Sequence, residues 1–345
     1  MSDIDTAVAL LRAGQLVAIP TETVYGLAAD AANPVAVSRI FRAKGRPADH
    51  PLIVHLPGAD WLERWAINIP PLAWELAEAF WPGPLTLILQ RAPGVPDAVT
   101  GGQDTVGIRI PAHPLALEVL RAFAASEHGV GPRGGLAAPS ANRFGRLSPT
   151  TAEHVRTDLG DAVSLILDGG PCPVGIESTI IDLSRGSEAP PRLLRPGRVT
   201  PAMIASATGI DVEPPFLPSS THANATASTP RVSGSLDAHY APRTPMRLVA
   251  RENLDAALTE AQGTHSRVLA LRRLPCDAKG SDATSASTFW LPADAEGVAR
   301  ALYDALHQLD AQNAELILAE AVPESAEWVA IADRLRRAAC GAGRS

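Results

Sequence analysis

Apolar positions along this chain follow two alternating rhythms. Ile4, Val8 and Leu11 fall on one face of a helical segment over 3–13 closed by Gly14, and residues 16–20 then form a short, continuous apolar run that predicts a buried strand. The alternation continues with a helix over 34–43, a strand over 52–56, a helix over 71–80 ended by Trp81-Pro82-Gly83-Pro84, and strands over 85–90 and 106–110. A helix over 114–125 leads into a strand-like 136–139, and a helix over 150–159 into a strand over 163–167. Residues 178–183 and 192–195 are strand-like as well. This succession predicts an α/β protein on a twisted, mixed sheet. From about 205 to 243 large apolar residues give way to Pro, Ser, Thr and Ala, the signature of a linker. Strands over 246–249, 267–271 and 315–319 with helices over 252–262 and 294–309 then predict a second, smaller α/β unit. No internal repeat is present.

Composition narrows the class. The 345 residues fit two domains, and 46% hydrophobic with 19% charged residues excludes a disordered chain. The net charge is −7, and residues 1–200 hold 17 basic against 20 acidic side chains, which weighs against a protein that grips nucleic acid by its backbone. Cys172, Cys276 and Cys340 are odd in number and unpaired in spacing, so neither a disulfide framework nor a cysteine-based zinc site is expected. An acidic N-terminus and the lack of an apolar run near 18 residues point to a cytoplasmic protein. In that setting Asn224-Ala225-Thr226 carries no meaning as a glycosylation acceptor. Of 30 basic residues only two, Lys44 and Lys279, are lysines.

Candidate chemistry gathers at strand ends. The single Gly-x-Gly-x-x-Gly match, at Gly129, Gly131 and Gly134, follows a helix, precedes a strand and contains Pro132, the reverse of a dinucleotide-binding turn. It reads as a connector. Lys44 and Arg46 flank Gly45 ahead of Pro47, which fits either a phosphate clamp of one point charge and one planar fork, or a solvated pair at a helix end. Ser140 and Asn142, in Ala138-Pro139-Ser140-Ala141-Asn142, offer a hydroxyl and an amide for a ligand or for capping the next helix. Arg109, inside a predicted strand, needs an anionic partner, either an internal carboxylate or a substrate's. His55, in an apolar strand, is open between core histidine and ligand contact.

Taken in order, Pro20-Thr21-Glu22-Thr23-Val24-Tyr25-Gly26-Leu27, Lys44-Gly45-Arg46-Pro47 with Pro51-Leu52-Ile53-Val54-His55, Trp81-Pro82-Gly83-Pro84-Leu85-Thr86, Ala138-Pro139-Ser140-Ala141-Asn142 and Glu177-Ser178-Thr179-Ile180 resemble the YrdC-like threonylcarbamoyl-AMP synthases. His239-Tyr240-Ala241-Pro242 resembles the linker motif of their longer, two-domain members. The resemblance implies a twisted mixed sheet with flanking helices around a concave site (1–204), a linker (205–243) and a small C-terminal Rossmann-like α/β domain (244–345). It implies condensation of L-threonine, bicarbonate and Mg2+-bound ATP to threonylcarbamoyl-AMP and pyrophosphate, toward threonylcarbamoyladenosine at position 37 of tRNAs reading codons that begin with A. By position, Lys44, Arg46, Ser140 and Asn142 match the nucleotide-binding tetrad, and His50, Thr105, Ser148 and Arg195 match further ATP contacts. Thr23, His55, Arg109, Ala138 and Ser178 match threonine-binding positions, and Tyr240 matches an ATP-binding tyrosine that reaches back over the site. The implied partners are the substrates and a downstream threonylcarbamoyl-transferase complex, with room for a weak tRNA contact and none for a membrane. Two rivals stand beside this reading. One is an RNA-binding module of the same fold; the other is carbamoyl transfer as in hydrogenase maturation proteins, whose zinc-finger cysteine pairs and acylphosphatase domain this chain lacks.

Overall fold

The computed structural model describes residues 2–125, 131–214, 229–234, 236–275 and 287–343. Gly129, Asn224-Ala225-Thr226, Cys276, Lys279 and the linker residues 215–228 lie outside the described residues. Ten strands form the first sheet: β1 (Val17–Ile19), β2 (Gly26–Asp30), β3 (Ile53–His55), β4 (Ala66–Ile67), β5 (Leu85–Arg91), β6 (Thr105–Arg109), β7 (Leu136–Ala137), β8 (Leu165–Ile166), β9 (Thr179–Asp182) and β10 (Arg192–Arg195). Their order is β10-β9-β5-β6-β3-β7-β2-β1-β8, with β4 paired to β5. The sheet is mixed: β3–β6, β5–β9 and β1–β8 pair in parallel, and the other neighbours are antiparallel.

The second sheet is wholly parallel, in the order β11 (Met246–Val249), β14 (Leu316–Glu320), β12 (Val268–Arg273), β13 (Thr288–Leu291). Helices Leu254–Gln262, Ala295–Asp310 and Val329–Gly341 accompany it, the Rossmann-like arrangement expected of strands joined by helical crossovers. Among the described residues no helix is long and apolar enough to cross a membrane.

Several elements depart from the sequence expectation, among them the short β4 and a single helical turn at Asp97–Thr100. β2 reads Gly-Leu-Ala-Ala-Asp, which has little strand propensity, and it is a strand because it is enclosed between β1 and β7. β13 is not foreshadowed by the apolar pattern, nor is helix Val329–Gly341, whose N-terminus has no side-chain cap to mark it. Helix Pro201–Thr208, capped by Thr200, runs across the expected boundary at residue 204.

Two local devices position the site. Helix Pro34–Lys44 starts on the Asn33 side chain, which accepts from the N–H groups of Val35 and Ala36, and it stops at Gly45 in the left-handed region at φ +63°. This stop leaves Lys44 buried on the last turn and Arg46 immediately beyond it. The other device is packing between the units. The C-terminal core of Leu302, Tyr303, Ile331 and their neighbours also contains Val24, Leu147, Ile176 and Tyr240, so one apolar cluster spans the N-terminal motif region, Tyr240 and the C-terminal sheet.

Candidate active site

A cleft with a cavity volume of about 50 Å3 opens where the loop after β1, the ends of β3 and β6, the turn after β7 and the linker converge. Nine of the residues singled out in the sequence line it: Thr23, Arg46, His55, Arg109, Ala138, Ser140, Ser178, Arg195 and Tyr240. Strand register accounts for much of this. The parallel β3–β6 pair sets His55 beside Arg109, and the parallel β5–β9 pair brings Thr86 Oγ1 within 2.8 Å of Ser178 Oγ.

Arg109 answers the question its burial posed. Its Nη2 donates to Glu22 Oε1 at 2.6 Å, Nη1 to Thr23 Oγ1 at 2.9 Å and Nε to the Gly83 carbonyl at 3.2 Å. The anionic partner is thus internal, Glu22, and two of the five guanidinium N–H groups remain for a ligand. Ala138 gives its N–H to the Ile53 carbonyl, so it offers the cleft a carbonyl. Burial, with Arg109 adding to it, drives His55 down to about 3, so the ring is neutral and its Nδ1 is buried without a partner.

The other cations are differently bonded. Lys44 Nζ donates to the carbonyls of Ser140 and Asn142, behind the cleft wall rather than within it. Arg46 Nη2 donates to the Pro51 carbonyl at 3.0 Å and to Ser233 Oγ at 3.1 Å, and its Nε is an orphan. Arg195 donates to the Ser178 carbonyl, Ser178 Oγ and the Ser233 carbonyl, at 3.0, 3.0 and 2.9 Å. Every one of these acceptors is neutral, and among the described residues no carboxylate pairs with Lys44, Arg46 or Arg195. Burial, reinforced by Arg46, lowers Lys44 well below the ordinary lysine value, and burial brings Arg46 to about 10. Charge held in this way favours an incoming anion, whose presence would raise both pKa values.

Four further sequence candidates lie around the cleft without lining it. Asn142 turns its Nδ2 back to the Arg143 and Arg146 carbonyls and leaves Oδ1 buried and unpartnered. His50 meets the edge of Phe144, with ring centroids 5.3 Å apart. Thr105 borders an adjoining crevice over which linker residues Arg231, Val232 and Ser233 pass. Ser148 is fully buried, with its hydroxyl 2.5 Å from Glu177 Oε1, so it supports the wall.

The linker closes the cleft from above. Tyr240, at φ +59°, is 1% exposed, and its N- and C-terminal neighbours are pinned on both sides: the His239 N–H bonds the Arg337 carbonyl, and the Ala241 N–H bonds the Gly145 carbonyl at 2.9 Å. Ser233, Gly234 and His239 also reach the cleft, and the sequence reading does not single them out. Glu22 and Glu177 enter that reading only as members of motifs; an acid beside hydroxyls in each is the available signal.

Two family models match the chain, one described as telomere recombination over residues 9–197 and one as the threonylcarbamoyl-AMP synthase C-terminal domain over 199–340. The chain is 40% identical over 339 residues to the threonylcarbamoyl-AMP synthase of Pyrococcus abyssi, spanning 96% of this chain and 92% of the relative. It is 40% identical over 342 residues to that of Bacillus subtilis, spanning 97% and 92%. The crystal structure of P. abyssi Sua5 complexed with L-threonine matches it with a TM-score of 0.80 at 38% identity, over 98% of this chain and 94% of that one. With the fold, the cleft and both halves of the sequence in agreement, this chain belongs to the threonylcarbamoyl-AMP synthase family, in the long form that carries the C-terminal domain.

Proposed function

We propose that this protein condenses L-threonine, bicarbonate and Mg2+-bound ATP into threonylcarbamoyl-AMP and pyrophosphate, supplying a transferase complex that forms threonylcarbamoyladenosine at position 37 of tRNAs in the cytoplasm. The observation that carries the reading is the charge pattern at the cleft: Arg46 and Arg195 in its lining, and Lys44 behind its wall, are bonded only to neutral oxygens, in a chain of net charge −7. Such a cluster is an anion site suited to phosphates.

The amine of threonine captures CO2 from bicarbonate, and a carbamate oxygen then attacks the α-phosphorus as magnesium pyrophosphate leaves. No covalent enzyme intermediate is required, so catalysis rests on positioning and on charge neutralisation. Arg46, Arg195, Ser140, Asn142 and Lys44, which ties down the loop carrying Ser140 and Asn142, take the nucleotide, with His50, Thr105 and Ser148 around it. Arg109 takes the threonine carboxylate through its free N–H groups, alongside Thr23, His55, Ser178 and the Ala138 carbonyl. Tyr240 over the cleft excludes water from a hydrolysable mixed anhydride. In this reading residues 1–204 are the catalytic domain, 205–243 the linker and 244–345 the C-terminal domain. The test is pyrophosphate release by purified protein with Mg2+, ATP, threonine and bicarbonate. Release that requires both co-substrates supports the synthase; release indifferent to either one refutes it.

A further inference from the structure

We propose that Arg334 and Tyr303, both from the C-terminal unit, are positioning residues of the nucleotide site: they hold the Glu177 carboxylate in the cleft wall, away from the phosphate-binding cations. The inference rests on the synthase reading above. Glu177 lines the cleft directly before Ser178, the residue to which Arg195 is bonded, and Glu177 and Arg195 affect one another's charge. Left to itself, a buried carboxylate here would pair with Arg195 and repel a triphosphate.

Three side chains prevent this. Ser148 Oγ donates to Oε1 at 2.5 Å, Tyr303 Oη lies 3.2 and 3.0 Å from the two oxygens, and Arg334 Nε donates to Oε2 at 2.7 Å. Together they supply three donors to the carboxylate, on both of its oxygens. Arg334 is fully buried, and its guanidinium also bonds the Pro196 carbonyl and Asp333 and lies 5.1 Å from the centroid of the Tyr240 ring. One side chain of the C-terminal unit therefore touches both the wall and the cover of the cleft. A buried ion pair of this kind is weak as a stabilising device, so its presence here calls for a role beyond stability. Burial alone raises the Glu177 carboxyl, but Arg334 and then Arg195 pull it down to about 2. The titratable groups facing it are Arg334, Arg195, Tyr303, Tyr240 and His239.

The test compares full-length wild type, Arg334→Met, Arg334→Lys and Arg334→Met with Glu177→Gln, each assayed for threonine-dependent pyrophosphate release from pH 6 to 8. Arg334→Met is expected to raise the KM for ATP about tenfold or more at pH 8, with a smaller effect on the KM for threonine. Its KM for ATP should improve on acidification, because the unpaired, buried carboxyl then takes up a proton, whereas wild type shows no such trend. Arg334→Lys should retain most of the wild-type KM, and the double variant should return to within about threefold of it, since the offending charge is gone. Arg334→Met with a wild-type KM for ATP overturns the inference, as does a defect that Glu177→Gln fails to rescue. If Arg334→Met does not fold, the double variant decides alone: a near-wild-type KM for ATP supports the inference, and a raised one overturns it. Wild-type protein that is indifferent to threonine would instead refute the synthase reading itself.

Discussion

Closure of the linker over the cleft depends on one position without a side chain. Gly234 sits at φ +82°, and a Cβ built there falls 2.0 Å from Tyr240 Oη and 3.3 Å from Arg195 Nη1. The left-handed backbone alone costs an L-residue about 1–2 kcal/mol. The overlap cannot be relieved by a small adjustment of Tyr240, whose ring is 4.1 Å from that of His239 and lies under Arg334. If the backbone at 233–234 lifts instead, the Arg46 and Arg195 bonds to Ser233 are lost, at about 1.5–3 kcal/mol for a charge-assisted bond. By either route Gly234→Ala should cost the closed form roughly 3 kcal/mol or more, shifting the opening equilibrium by about a hundredfold. Trypsin reports this directly at Arg231, which is tied to Gln103 and Gly101 while the linker is down. Cleavage after Arg231 should accelerate by about two orders of magnitude, because proteolysis follows the open population, and threonine-dependent pyrophosphate release should fall. Gly209→Ala is the control, since Gly209 has φ +70° but no atom within 4 Å of the place a methyl group would take. If Gly234→Ala is cut and turns over like wild type, Gly234 and Tyr240 do not set closure.

Three other outcomes follow from the geometry. Lys44→Ala removes the ammonium that gathers the Ser140 and Asn142 carbonyls and should lower kcat/KM by about thirtyfold, equivalent to about 2 kcal/mol; a wild-type value would make Lys44 a bystander. Arg109→Ala leaves Glu22 buried and unpaired, so thermal unfolding should show a loss of about 3–5 kcal/mol. Adding Glu22→Gln should recover stability without recovering threonine affinity, and recovery of both would remove Arg109 from the threonine site. Where the two units meet, His154 and His307 stack with ring centroids 3.9 Å apart, and burial, with His307 adding to it, lowers His154 from 6.5 to about 3. The folded protein thus binds fewer protons than the unfolded chain between these values, so stability falls as pH drops below about 6.5. His154→Gln should flatten that dependence of Tm, and an unchanged slope between pH 7.5 and 5 would show that another group sets it.

Much of this protein is written locally. Amphipathic spacing marks most of the helices, apolar runs mark β1, β3, β5, β6 and β9, and Arg46, His55, Arg109 and Ser140 stand out from their local setting, whereas Thr23, Ala138, Ser178, Arg195 and Tyr240 are singled out only through the family resemblance. These signals are local because periodicity, caps and turn residues act over a few positions. Propensity could not reveal β2, whose alanines become a strand only between two neighbours. Nor could sequence choose the partner of Arg109, since Glu22 lies 87 positions away and is brought to it by the sheet. Arg334 is the extreme case. No motif in the sequence marks it, and it is fully buried because packing of two units around Tyr240 and Tyr303 turns that position toward Glu177. Which cations of the chain bond only neutral oxygens and which are spent on carboxylates is therefore decided by tertiary contacts between distant segments, where burial favours a partner for each charge.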